Sequence, residues 1–280
     1  MIRYANGDDL VQIRKLWDIC FPDDTGFNDY FFEHLFDLDH VLLMEIDGQI
    51  AAMKHMIPRV MRISADTTEV CTYIYGACTH PEHRRKHLMS ALLERTFILD
   101  CSLGRASSIL IPAEPWLFDF YHLFGYRPIF CLNTVEINIP DHVTSKLSML
   151  NFDDIDQMNK VYESNFCEQQ MYLIRDRQEW KRQIEMFRML GLGCFGKYAP
   201  DGTLQGYAFA WRSTDDCVYV QEIAAGSPDV KQAILEEIAA AGNVKKARYS
   251  DIIPSSTRFG CMKRYDDQEI SSAYMNLMMN

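Results

Sequence analysis

The sequence has no run of about 18 apolar residues, the length a membrane-spanning helix needs. Its N-terminus reaches Asp8-Asp9 with no apolar stretch suited to export. Basic residues are in deficit: 28 Lys and Arg against 39 Asp and Glu give a formal charge of −11. That balance argues against a polyanion such as nucleic acid as a partner. Gly (14) and Pro (10) are scarce in 280 residues, which excludes collagen-like and low-complexity chains. No CxxC pair occurs; Cys20, Cys71, Cys78, Cys101, Cys131, Cys167, Cys194, Cys217 and Cys261 stand singly. Without an export segment they read as reduced thiols in a cytoplasmic protein, with neither a disulfide framework nor a zinc site.

What is present is apolar material, 48% of the residues, enough to bury a core and rule out disorder. The length suits one large domain or two small ones, and an internal repeat favours two. Residues 7–17 (GDDLVQIRKLW) and 152–162 (FDDIDQMNKVY) share an Asp pair, a Gln and a Lys. Each Asp pair suits the cap of a helix, followed by apolar positions at helical spacing: Leu10, Ile13, Leu16 and Trp17, then Ile155, Met158, Val161 and Tyr162. Asp47-Gly48 and Asp201-Gly202 each divide two apolar runs, as a type I′ hairpin turn does. Next, a strand runs into a helix, residues 72–79 into 83–99 and residues 217–225 into 229–241. We therefore expect an α/β chain with mixed sheets and two similar domains, 1–140 and 150–280, joined near Pro140-Asp141, with SSAYMNLMMN as a last strand.

The segment from Tyr73 to Leu93, YIYGACTHPEHRRKHLMSALL, carries the chemistry. A strand ends before Pro81, three cations (Arg84, Arg85, Lys86) follow, and a helix begins. The first N–H groups of a helix lack internal partners and carry partial positive charge. Beside guanidinium groups they favour a diphosphate over a carboxylate. His83 and His87 also have the spacing of a helical two-ligand zinc pair. No Glu completes that motif, and three adjacent cations oppose a dication.

The run Pro81–Met89 resembles the acyl-CoA pyrophosphate loop of the GNAT N-acetyltransferase superfamily: Arg84 matches its opening position, while His87 and Met89 stand where Gly and Gly or Ala are usual. Residues 107–128 resemble that family's next strand, helix and Tyr-x-x-x-Gly-[Phe/Tyr] signature through Tyr121, Gly125 and Tyr126. The resemblance implies two tandem GNAT-like acyl-CoA N-acyltransferase domains. Acetyl-CoA would be the co-substrate, held by the backbone of Ala77, Cys78 and Thr79 and by the loop Arg84, Arg85, Lys86, His87, Leu88 and Met89. It implies direct attack by a small-molecule or peptide amine, with Tyr121 protonating the departing thiolate. No carboxylate lies on the strand 72–79, so Glu114, and after it Glu45, are the candidate bases.

In the second half Gly226-Ser227-Pro228-Asp229 replaces the basic turn, and Asp229 would repel a diphosphate. One working loop beside a degenerate copy is similar to the enhanced-intracellular-survival (Eis) acetyltransferase family, without its C-terminal sterol-carrier-like domain. In that family the terminal carboxylate serves as base, a role that would fall to Asn280. The second half would then wall the acceptor pocket, with Trp180, Tyr207 and Trp211 as lining candidates. The rival readings are a non-catalytic module that binds acyl-CoA or an amine, and aminoacyl transfer to a peptidoglycan precursor. No membrane or nucleic-acid partner is expected.

Overall fold

The structure, a computed structural model, describes residues 1–140, 146–167, 171–212, 216–252 and 257–276. In chain order the first elements are β1 (Ile2–Tyr4), α1 (Leu10–Cys20), α2 (Phe27–Tyr30), β2 (Val41–Ile46), β3 (Gln49–Ser64), β4 (Thr67–Thr79), α3 (Leu88–Ser102), β5 (Ser107–Leu110), α4 (Pro115–His122) and β6 (Arg127–Cys131). There follow β7 (Asn133–Asn138), β8 (Ser148–Met149), α5 (Ile155–Phe166), β9 (Met171–Leu173), α6 (Arg177–Met189), β10 (Gly193–Tyr198), β11 (Leu204–Trp211), β12 (Cys217–Ala225), α7 (Pro228–Ala241), β13 (Lys246–Asp251), β14 (Arg258–Arg264) and β15 (Ala273–Tyr274).

Contacts divide the chain into Met1–Ile129 with Phe259–Ser271, and Phe130–Arg258 with the segment from Ser272. This differs from the expected division at 140 to 150. Strand pairing is the reason: β7 runs antiparallel to β13 and belongs to the second unit. Residues of β14 pair antiparallel with β5, from Cys261–Leu110 to Arg264–Ser107, and return the late chain to the first unit. Residues 141–145, where the join was expected, lie outside the described residues, as do 277–280 of the expected last strand; of its residues 271–276 only Ala273–Tyr274 form a strand, β15.

In the first unit β1 to β4 form an antiparallel run, and β5 adds parallel to β4. The face of β4 that carries Thr72 and Ile74 packs toward α3 and α4. The other face, with Tyr73 and Tyr75, packs toward α1, whose Trp17 is stacked on Phe31. In the second unit a six-stranded sheet of order β7-β13-β12-β11-β10-β8 encloses a core of Ile234, Leu235 and Ile238 against Val218, Val220 and Ala247. Buried Arg175 binds Glu222 through two 2.6 Å bonds, and Glu222 also accepts from Tyr207 and Tyr274. Every carboxylate oxygen there is paired, as a charge taken out of water requires.

The two halves repeat each other atom by atom in places. Asn6, not the Asp pair, is the N-cap: its side chain accepts from Asp8 N while its own N–H donates to Asp9. Asn151 does the same with Asp153 and Asp154. The aspartates thus complete a capping box set by an Asn that precedes them. Gln12 accepts the N–H of Ile50 just after the first hairpin turn, and Gln157 that of Leu204 after the second. The turns themselves differ. Asp47 and Gly48 both have positive φ, as type I′ demands, whereas only Gly202 does in the second turn. There Pro200 fixes φ negative, and the wider loop closes between Ala199 and Thr203.

Candidate functional site

The parallel ladder between β4 and β5 ends at Ile74–Leu110, yet β4 continues to Thr79. Its last residues, Tyr75, Gly76 and Ala77 among them, are partly exposed where β5 has stopped. Opposite them on β3 the register slips between His55–Tyr75 and Met53–Cys78, so Gly76 and Ala77 together face Lys54. This is a β-bulge, and Gly76 supplies the positive φ (57°) it uses. A glycine inside an aromatic strand signals such a kink in the sequence, but Gly76 was not singled out from it. A Cβ there would lie 2.3 Å from Trp17 Cζ3, so no other residue fits without displacing the indole.

After Thr79 the chain makes a short turn, Pro81–His83, and the helix begins only at Leu88, not at 83. Two residues of the loop, Arg85 (φ 62°) and His87 (φ 56°), hold left-handed backbone without being glycine. Such a conformation costs of order 1–3 kcal/mol per residue and persists where the surroundings impose it. His87 therefore holds a left-handed backbone of the kind glycine adopts freely, despite its Cβ. The same geometry removes the zinc alternative: His83 sits in the turn and His87 is the N-cap, so they are not one turn apart on a helix face.

Arg84, Arg85, Lys86 and His87 are exposed around the start of α3, and Arg84 Nε reaches the carbonyl of Thr79 (3.3 Å). The N-terminus of α3 has no side-chain cap and no acidic residue in its first turn. Its N–H groups and macrodipole are thus left for an anion. The corresponding helix of the second unit, α7, is closed: Ser227 caps it at Val230 N, Asp229 lies in its first turn, and Asn165 accepts the N–H of Ala225 at the end of β12.

Ala77 and Met89 belong with Ile74, Leu93, Leu110 and Tyr121 to one apolar cluster. The end of β4, the start of α3 and α4 thus share one apolar cluster. Cys78 faces away, toward Cys20, whose Sγ lies 3.6 Å from the Thr79 carbonyl. The Cys20 thiol is lowered to about 7, first by its bond with Cys78 and then by the Arg84 charge. Tyr121 is 7% exposed, its phenol has no hydrogen-bond partner among the described residues, and burial raises its pKa. The phenol is therefore fully protonated at neutral pH, a donor in waiting.

The carboxylates are not gathered there. Glu114 is exposed at the N-cap of α4 with no side-chain cap bond. Glu45 is engaged by Arg3 at 2.8 Å. Asn280 lies outside the described residues. Trp180 and Tyr207 are buried in the core of the second unit against the Arg175–Glu222 pair, and Trp211 packs on Phe187, so packing accounts for the proposed lining aromatics. His55, unmarked in the sequence, is buried beside the bulge with both ring nitrogens unpartnered, and burial pushes its pKa down to about 4.

Residues 1–129 match the acetyltransferase (GNAT) domain family. No curated protein matches the chain in sequence. Among solved structures, a probable N-acyltransferase from Enterococcus faecalis V583 superposes with a TM-score of 0.73 at 16% identity, covering 94% of this chain and 72% of that one. Eis1 from Mycobacterium abscessus gives 0.66 at 14% identity, covering 95% and 74%. Saccharomyces cerevisiae N-myristoyltransferase with bound myristoyl-CoA gives 0.60 at 12%, covering 96% and 79%. These likenesses, all at low identity, carry the fold alone, a mixed α/β chain; the family match carries the likeness of residues 1–129 to a GNAT acetyltransferase domain.

Proposed function

We propose, from the premise that residues 1–129 are a GNAT acetyltransferase domain, that this chain moves an acetyl group from acetyl-CoA to an amine. The observation that carries the reading is the meeting of three features. The end of β4 that runs on past its ladder with β5, the uncapped start of α3, and a cationic loop in Gly-like conformation lie together in the first unit. The backbone of Ala77, Cys78 and Thr79 would pair with the pantetheine amides as an added strand. Arg84, Arg85, Lys86 and the N–H groups of His87, Leu88 and Met89 would hold the diphosphate.

The acceptor nitrogen then attacks the thioester carbonyl, the carbon–sulfur bond breaks, and Tyr121 gives its phenolic proton to the leaving thiolate. Burial raises the pKa of Tyr121, so its phenol carries the proton when the carbon–sulfur bond breaks. Glu114, exposed and unpaired among the described residues, is the carboxylate available to receive the amine proton through water. The second unit, with its α7 start capped and acidic, is read as the degenerate partner that binds no cofactor. Nine free cysteines suit a reducing, cytoplasmic setting, and the acceptor is a small-molecule or peptide amine.

Calorimetry with acetyl-CoA, followed by measurement of free CoA released with a panel of amines, tests the reading. Saturable binding at one site and CoA release with at least one amine support it. Tight binding with no release on any amine would make the chain an acyl-CoA-binding module instead, and no binding would remove the reading.

A further inference from the structure

We infer that Trp17 limits the acyl group the first unit accepts, confining the donor to acetyl-CoA and comparably short acyl-CoA thioesters. The inference rests on the acyl-CoA reading above and extends it from the handle of the donor to its chain. A donor anchored at residues 84–89 and running back along β4 past Thr79 and Ala77 brings its thioester to the bulge at Gly76. What lies behind that bulge decides how much chain can follow.

On the face toward α3, Ile74, Leu93, Leu110 and Tyr121 are packed together, none more than 7% exposed. On the opposite face the indole of Trp17 presses on Gly76 so closely that even a methyl at that Cα would meet it at 2.3 Å, and His55 Nδ1 at 3.1 Å. Phe31 and His55 complete this wall, each 1% exposed. Packed interiors leave little void larger than a methylene or two. A longer acyl chain must therefore move the indole.

The indole is held. Its Nε1 donates to Asn28 Oδ1 at 2.8 Å, and its ring stacks on Phe31 at 4.6 Å and 12°. Asn28 is fixed in turn, donating to the Phe21 carbonyl (2.8 Å) and, from its backbone, to Asp23 (2.9 Å). Displacing Trp17 would strand a buried amide oxygen and break close packing at once. The wall is built from α1, the residue that follows α2, and β3, and Trp17, which sets the limit, lies far in sequence from the strand it guards.

The test is calorimetric affinity for acetyl-, butanoyl- and hexanoyl-CoA, which needs no acceptor amine. The wild-type chain should lose about tenfold or more between acetyl and hexanoyl, the scale of a pocket that refuses added methylenes. Trp17→Ala should narrow that gap by about tenfold while leaving acetyl-CoA affinity close to wild type. Trp17→Phe and Asn28→Ala, which disturb the core less, should narrow it in the same direction and decide the matter if Trp17→Ala does not fold. Equal wild-type affinities, or an unchanged gap in any folded variant of Trp17, would overturn the inference while leaving the acyl-CoA reading intact. A wild type that binds none of the three donors would overturn both.

Discussion

Ile74 and Leu110 form the last pair of the parallel ladder between β4 and β5, and Tyr121 shares their apolar cluster. The place where the two strands part is thereby tied to the helix that would supply the acid. Strand, loop and helix are separate in sequence, and the gap is what unites them.

Charge reversal in the loop should remove cofactor affinity without harming the fold. Arg84 and Arg85 are exposed and Arg84 makes a single bond to the Thr79 carbonyl. Arg84→Glu with Arg85→Glu should weaken acetyl-CoA binding by at least about 100-fold, the loss of two charge-assisted contacts plus repulsion. Calorimetry reads the affinity and circular dichroism the fold; unchanged affinity would contradict the assignment of the loop.

Tyr121→Phe keeps the apolar packing of the cluster and removes only the hydroxyl, which has no partner among the described residues. Turnover should fall by about 10²-fold or more, with acetyl-CoA affinity nearly unchanged. Full activity would take Tyr121 out of the chemistry and leave it as a core aromatic.

Ser227→Ala provides the matching control in the second unit. Loss of its bond to Val230 N should cost about 1 kcal/mol of stability. Acetyl-CoA affinity should not move, since α7 is read as having no cofactor role. A change in affinity comparable to that of the Arg84 and Arg85 pair would argue that the second unit binds the donor.

Lys54 offers a pH dependence with a defined sign. It is fully buried, donates to Thr96 Oγ1, and burial pushes its pKa from 10.5 to about 7. Between those values the unfolded chain binds a proton that the folded chain does not, so stability should rise as pH climbs from about 7 toward 10. Lys54→Met should flatten that slope and raise the Tm at pH 7 by at least about 3 °C, roughly 1 kcal/mol for a domain of this size. A variant with the wild-type slope would mean that Lys54 stays charged in the core.

The sequence made the halves and their elements legible because turn and cap signals are local. Asp47-Gly48 turns as expected and each strand runs into a helix, though the first helix begins at Leu88 and not at 83. The basic loop was legible for the same reason, since charge and helix start are adjacent in the chain. The exchange of β14 into the first unit was not, because it depends on which sheet edge the late strand meets, and pairing partners distant in sequence leave no local mark. Trp17 looked like one position of an amphipathic stripe, and that is its role until Gly76 folds against it. His55 and Lys54 sat inside an apolar strand with nothing to distinguish a buried polar group from an exposed one.

Hydrogen exchange of the backbone in the presence and absence of acetyl-CoA tests the central claim most directly. Added donor should slow exchange at Ala77 to Thr79 and at His87 to Met89, with the segment from Ala225 to Val230 unaffected. Slowed exchange confined to that second segment, or no change in either, would contradict the placement of the cofactor in the first unit.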